Sequence, residues 1–265
     1  MGKLKLRKYQ EEGASFLTHK RRALLADEMG LGKTITALTA STALGDFPAL
    51  IVAPKVALYV WQQELEDWYD LPSAIYSGTP SERAAEFAKF KEYGLPYMIT
   101  NYAFAKEVID LPVKWRTIIC DEIHMAGLLN RKSKTFKRMK SITRKSRNLF
   151  LVTGTPVRAT AADLWAPLHL INPKRFSSYW RFVHTYCIVI QEIFGKSIER
   201  RPQDPVAFRR MLSNYMIRRY KKDVLEELPD KIRQVVNIDM TPKQARMCRE
   251  LEEDLMTEMG DGDVL

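Results

Sequence analysis

The chain has 265 residues, 46% of them hydrophobic, which is enough to bury a full core and excludes a disordered chain. Lys and Arg number 42 against 32 Asp and Glu, and the resulting net charge of +10 favours polyanionic partners such as nucleic acid. No apolar run reaches the length of a membrane span, the opening Met1-Gly2-Lys3-Leu4-Lys5-Leu6 lacks a secretory stretch, and Cys120, Cys187 and Cys248 are too widely spaced for a metal-ligand pattern or a disulfide framework, so a reducing, intracellular setting is expected.

Short apolar runs at 23–26, 49–53, 97–100, 117–120 and 149–152 have the composition of buried parallel strands. Helical patterns separate them. One at 35–44 follows a glycine-rich loop, one at 57–69 puts Leu58, Trp61, Leu65 and Trp68 on one face, and one at 81–93 does the same with Ala84, Phe87 and Phe90. This alternation predicts an α/β fold with a doubly wound parallel sheet. Nine basic residues and no acidic one fall between Arg131 and Arg147, a run that suits either a solvated helix face or a polyanion surface.

Beyond Pro156 the strand signals stop, and helical patterns at 163–171, 177–186 and 205–215 predict a helical appendage. A lone strand-like run occupies 233–239, and Thr241-Pro242 has the form of an N-cap with proline at the first helical position, opening a helix toward Met256. One strand and one helix cannot close a domain. The expected organisation is a lobe at 1–160, a helical extension packed on it at 161–230, and at 231–265 the start of a linker or second lobe, cut short. Trp61, Trp68, Trp115, Trp165 and Trp180 default to core packing, and His19, His169 and His184 have no ligand-like spacing.

Two clusters carry chemistry. Gly30-Leu31-Gly32-Lys33-Thr34 lies between the strand ending at Ala26 and a helix, where backbone amides can wrap a polyphosphate, Lys33 can reach its terminal groups and the Thr34 hydroxyl can meet Mg²⁺. The usual pattern has a glycine where this chain has Asp27, so taken alone the match is incomplete. Asp121-Glu122 closes the apolar run Ile118-Ile119-Cys120, which suits one carboxylate to hold Mg²⁺ through water and the next to orient an attacking water. His124 follows at a position that could link this pair to nearby polar groups.

These residues resemble helicase superfamily two, and within it the Swi/Snf branch of double-stranded DNA translocases and chromatin remodellers. Leu6-Arg7-Lys8-Tyr9-Gln10-Glu11-Glu12-Gly13 is similar to that branch's adenine-recognition motif, and the Asp27-Glu28-Met29 that spoils the general phosphate-loop pattern is a marker of the branch. Ala53-Pro54-Lys55 with Trp61, Glu64 and Trp68 resembles the next motif, though Val56 and Ala57 replace the small hydroxyl residues often found there. Ile99-Thr100-Asn101-Tyr102 resembles a DNA-facing turn, Asp121-Glu122-Ile123-His124 the Asp-Glu-x-His box, and Thr153-Gly154-Thr155-Pro156 the coupling motif. The stretch from Tyr215-Met216-Ile217-Arg218-Arg219 to Leu228-Pro229-Asp230-Lys231 is the most branch-specific. Met125-Ala126-Gly127-Leu128-Leu129, in place of a shorter basic connector, and Arg158-Ala159, where Gln-Asn is frequent, depart from the pattern.

The resemblance implies a RecA-like phosphate-loop NTPase lobe with the helical appendage, using ATP and Mg²⁺. It assigns nucleotide contacts to Arg7, Gln10, Gly30, Leu31, Gly32, Lys33 and Thr34, the metal to Thr34 and Asp121, and catalysis to Lys33, Asp121 and Glu122. Coupling falls to His124, Thr153, Gly154 and Thr155, and nucleic-acid contact to Lys55, Asn101, Tyr102, Lys132 and Lys134. The expected partners are duplex DNA and a second RecA-like lobe whose arginines complete the ATP site, in a monomeric protein that meets no membrane. Motifs of such a second lobe are missing from the sequence, so the chain is expected to hydrolyse ATP poorly alone. The alternatives are a strand-separating DNA or RNA helicase of another branch and a non-hydrolysing, nucleotide-dependent binding module.

Overall fold

Strands buried on both faces need helices on both sides, and the chain supplies them in alternation. The computed structural model describes residues 5–192, 195–224 and 240–260. Its elements begin with α1 (Lys8–Lys20), β1 (Arg22–Leu25), α2 (Lys33–Leu44), β2 (Ala49–Ala53), α3 (Leu58–Tyr69), β3 (Ser73–Tyr76), α4 (Pro80–Glu92) and β4 (Tyr97–Asn101). They continue with α5 (Ala105–Asp110), β5 (Thr117–Cys120), α6 (Lys134–Thr143), β6 (Asn148–Val152), α7 (Trp165–Ile171) and α8 (Tyr179–Tyr186). Last come β7 (Cys187–Glu192), β8 (Gly195–Pro202), α9 (Pro205–Leu212), β9 (Met216–Ile217), α10 (Lys221–Val224) and α11 (Pro242–Gly260).

Seven parallel strands form one sheet in the order β3-β4-β2-β5-β6-β1-β9. Every residue of β2, β4, β5 and β6 is buried, which is why the sequence shows continuous apolar runs there instead of alternation. On one face Leu17, Leu38, Leu58, Trp61 and Leu65 of α1, α2 and α3 pack against Leu25, Ile51, Ile119 and Phe150. On the other face Met139, Ile142, Leu168, Phe182 and Phe208 share a core with Leu24, Leu50, Ile118 and Leu149. α6 turns Phe136, Met139 and Ile142 inward and leaves Lys134, Lys137 and Lys140 exposed, so its part of the basic run is an outer helix face.

The five expected strands are present to within a residue at either end, and the structure corrects the expectation of a purely helical extension at 161–230. β7 and β8 form an antiparallel pair, and β9 joins the sheet beside β1. The reason is local. The β-branched Ile188-Val189-Ile190 follows directly on the periodic pattern of α8, β8 contains one large apolar residue, Ile198, and β9 spans two residues. β3 escaped for a similar reason, being a four-residue edge strand with a polar start. Trp61, Trp115 and Trp165 are buried as expected, whereas Trp180 is 48% exposed.

The chain divides into two compact units, Met1–Glu226 and Glu227–Leu265. Within the second, α11 opens at Pro242 as the Thr241-Pro242 pair indicates, and the expected strand at 233–239 lies outside the described residues.

At the amino-terminal edge of the sheet, Asp46 ties several strands together. Its Oδ2 accepts from Arg21 Nη1 at 2.9 Å and Asn148 Nδ2 at 3.0 Å, its Oδ1 accepts from Arg147 Nη1 at 3.2 Å, and its carbonyl accepts from Thr117 Oγ1 at 2.9 Å. The Asn148 hydrogen bond, with the nearby arginines, holds the Asp46 carboxyl below its ordinary range. A depressed carboxyl stabilises the fold above the unfolded-state pKa of about 3.9 and loses that contribution as pH falls through the lower folded value. Asp46→Ala is therefore expected to cost about 2 kcal/mol at neutral pH in urea unfolding. The gap from wild type should narrow in acid.

Candidate nucleotide site

The loops that carry the sequence motifs leave the carboxyl ends of β1, β2, β4, β5 and β6, so the parallel sheet gathers them on one edge. Gly30 and Gly32 take φ of +82° and +71°, in the left-handed region that glycine adopts without penalty. Gly32 caps α2 without a side chain, which leaves the opening amides of the helix free to meet an anion. Lys33 is buried and donates a long 3.4 Å hydrogen bond to Glu28 O, so its ammonium folds back over the loop. Gly154 faces the same loop: a Cβ there would collide with Met29 Cγ and lie 3.5 Å from Lys33 Nζ.

Gln10 Nε2 donates to Leu31 O at 3.3 Å and its Oε1 accepts from Arg7 N at 2.9 Å, so the adenine motif is stitched to the phosphate loop. Arg7 itself is exposed at the start of α1. Asp121 sits 8% exposed at the end of β5. Its Oδ2 accepts from Trp61 Nε1 at 2.9 Å, its Oδ1 accepts from Glu122 N at 2.9 Å, and its carbonyl accepts from Tyr102 Oη at 2.6 Å. Burial pushes the Asp121 carboxyl up to about 6, Glu122 adds to the rise, and the Trp61 hydrogen bond and Lys33 oppose it.

Glu122 has φ of +45°, a left-handed conformation that costs a non-glycine residue of order 1 kcal/mol and aims its side chain away from the strand line. His124 Nδ1 lies 2.8 Å from Thr153 Oγ1 and 3.1 Å from Glu122 Oε2. Thr155 N–H donates to Thr153 Oγ1 at 3.1 Å, which ties the following loop to the same hydroxyl. With its proton on Nδ1 the ring donates to Glu122 Oε2, an oxygen sealed from solvent that has no other hydrogen-bond partner among the described residues.

The five residues grouped for nucleic acid divide between two places. Lys55, Asn101 and Tyr102 line a cavity of about 750 Å³ with Ser77, Phe104 and Met125. Only Lys55 among the three is exposed. Asn101 Oδ1 accepts from Ala103 N at 2.9 Å and its Nδ2 donates to Ser77 Oγ at 3.4 Å, so with Tyr102 it shapes the cavity wall. Lys132 lines a different cavity with Arg158, Tyr179 and Trp180, and Lys134 is exposed at the head of α6.

Nucleotide and metal fit these residues. The α2 amides and Lys33 suit a polyphosphate. Thr34, whose hydroxyl has no hydrogen bond among the described residues, and Asp121, whose burial asks for a counter-cation, are the hard oxygen donors Mg²⁺ takes.

A family model described as the SNF2-related domain matches residues 9–263. The chain belongs to that family. Relatives of this SNF2-related domain include the chromatin-remodeling ATPase INO80 of Schizosaccharomyces pombe, 31% identical over 262 residues that make up 91% of this chain and 16% of that protein. The transcription regulatory protein SNF2 of Saccharomyces cerevisiae is 30% identical over 93% of this chain and 15% of its own length. Among solved structures, the Sulfolobus solfataricus SWI2/SNF2 ATPase core in complex with dsDNA matches with a TM-score of 0.69 and 28% identity, covering 99% of this chain and 55% of that one. The chain thus spans a small part of its long relatives and about half of the solved core. The Swi/Snf resemblance and the RecA-like α/β fold expected from the motifs are borne out.

Sequence reasoning took Trp61 as a core residue and missed that its indole N–H holds Asp121, a hydrogen bond across 60 positions with no local signal. It also gave no role to the Tyr102 hydroxyl on Asp121 O. Asp27, at a position where the general pattern has glycine, accepts hydrogen bonds from Arg219 at 3.0 Å.

Proposed function

We propose that this SNF2-related domain is the first, nucleotide-binding lobe of an ATP-dependent motor that tracks along duplex DNA. The observation that carries this reading is the chain of groups from Glu122 through His124 to Thr153, lying beside an open phosphate loop. Lys33 and the α2 amides hold the terminal phosphates, Thr34 and Asp121 hold Mg²⁺, and Glu122 orients a water and takes its proton. When bound, Mg²⁺ neutralises charge on the transferring phosphate. Trp61 and Tyr102 keep Asp121 in place, and His124 and Thr153 pass the state of Glu122 to the coupling loop. Efficient turnover needs a second RecA-like lobe, and the motor works as a monomer wherever DNA is held. The named ATPase relatives and the duplex in the solved core support this reading.

Duplex contact centres on Lys55 and the cavity between the loops after β2 and β4. Phosphate contacts make such binding strongly salt dependent and indifferent to sequence. Lys55→Ala is expected to weaken duplex binding several-fold across all sequences and to flatten the salt slope by about one unit in fluorescence anisotropy. ATP turnover of the two-lobed form, compared with duplex DNA, single-stranded DNA and RNA, tests the motor itself. Strongest stimulation by duplex is expected. A strict requirement for RNA would remove the duplex-tracking reading.

A further inference from the structure

β9 does more than cover the edge of β1. Its ladder continues into the phosphate loop: Leu24 N and Ala26 N donate to Tyr215 O and Ile217 O at 2.8 Å, and Glu28 N donates to Arg219 O at 3.0 Å. Asp27 lies between the last two, with its side chain 1% exposed. Among the described residues, Arg219 alone fills that carboxylate. Its backbone N and its Nε each donate to Asp27 Oδ1 at 3.0 Å, and its Nη2 donates to Oδ2. The remaining arm, Nη1, donates to Tyr9 O, and the guanidinium carbon stands 5.6 Å from the Tyr9 ring centroid.

The same guanidinium accounts for a third residue. A Cβ on Gly13, inside α1, would fall on Arg219 Nη2 and on Thr36 Cγ2 of α2. Helix-interior glycine is unfavourable relative to alanine, so this position needs a reason, and the passing guanidinium is one. Arg219 therefore touches the adenine motif at Tyr9 and Gly13 and the phosphate loop at Asp27. A planar fork can meet both at once, whereas a lysine ammonium cannot.

We propose that Arg219 is a positioning residue of the nucleotide site: it fixes the start of α1 against the phosphate loop, so that the base and the phosphates of one nucleotide meet their donors in register. The proposal rests on the reading of this loop as the ATP site. Asp27 and Gly13 are the residue types they are because the guanidinium lies between them. The loop itself keeps its glycines and α2, so Arg219 governs how base and phosphate binding add, more than phosphate binding alone.

The test compares Mg-ATP with inorganic tripolyphosphate, which has no base, in calorimetric titrations of wild type, Arg219→Lys and Gly13→Ala. Arg219→Lys keeps a cation for Asp27 and drops the Tyr9 contact, and Gly13→Ala displaces the guanidinium without changing any charge. Both variants are expected to lower the thermal midpoint, since each disturbs a buried ion pair, and below that midpoint to weaken ATP binding by about ten-fold and tripolyphosphate binding by less than about two-fold. A purely structural pair would weaken both ligands equally or neither, and either result overturns the proposal. A wild-type chain with no affinity for ATP, or Lys33→Ala binding as wild type does, overturns the site reading itself.

Discussion

Glu122→Gln is expected to leave Mg-ATP binding within about two-fold of wild type while lowering ATP turnover of the two-lobed form by two to four orders of magnitude. The amide keeps the size of the side chain and its place beside His124 but cannot accept the proton from water. The amide oxygen can still accept from His124 Nδ1, which lies 3.1 Å from the carboxylate oxygen it replaces, so the folded lobe should be close to wild type in stability. Lys33→Ala should show the opposite pattern, with nucleotide affinity lost at the first step. Turnover that survives Glu122→Gln would mean that another group takes the proton.

Asp121 titrates near 6 in the folded lobe against an ordinary value of 3.8, so between those values the folded state holds a proton that the unfolded state has released. For a raised carboxyl, stability falls as pH climbs through this window, and the penalty stays in force above it, at about 3 kcal/mol for a shift of about two units. Mg-nucleotide binding is expected to run the other way, because the metal site proposed at Asp121 needs the carboxylate. Affinity should be full above about pH 7 and fall roughly ten-fold per unit below 6, while nucleotide without metal changes far less. Trp61→Phe removes the hydrogen bond that holds the Asp121 value down, so it should move the binding midpoint upward. Asp121→Asn should raise the stability of the free lobe at neutral pH by about 1–2 kcal/mol, since relief of the buried charge exceeds the loss of one of two hydrogen bonds. The same variant should lose Mg-ATP. A flat affinity between pH 5 and 7, on the order of no change, would separate Asp121 from the metal.

Much of this arrangement could be read from the sequence because the decisive signals are local. The central strands are buried on both faces and show as unbroken apolar runs, and the phosphate loop and Asp121-Glu122 each fit within a few consecutive residues. What escaped depends on partners far along the chain. β9 is two residues long and is a strand only because β1 lies beside it, and β8 has the composition of a loop. Trp61 and Asp121, or Asp27 and Arg219, have no spacing that periodicity could detect. Asp27 was visible as an oddity, yet its explanation stood 192 positions away.

That separation has a consequence for how the molecule is made. At translation speeds of about 5–20 residues per second, Asp27 waits on the order of ten to forty seconds for Arg219 to be synthesised. Through that interval the outer edge of β1 offers Leu24 N and Ala26 N without the carbonyls of Tyr215 and Ile217, an open strand edge next to an unfinished loop. The phosphate loop is among the first parts of the first unit to leave the ribosome and among the last to acquire its final shape. A nascent chain halted before Arg219 would therefore carry the whole proposed ATP loop and still lack the joint that holds it in register with α1, with a sticky edge that a chaperone would need to shield.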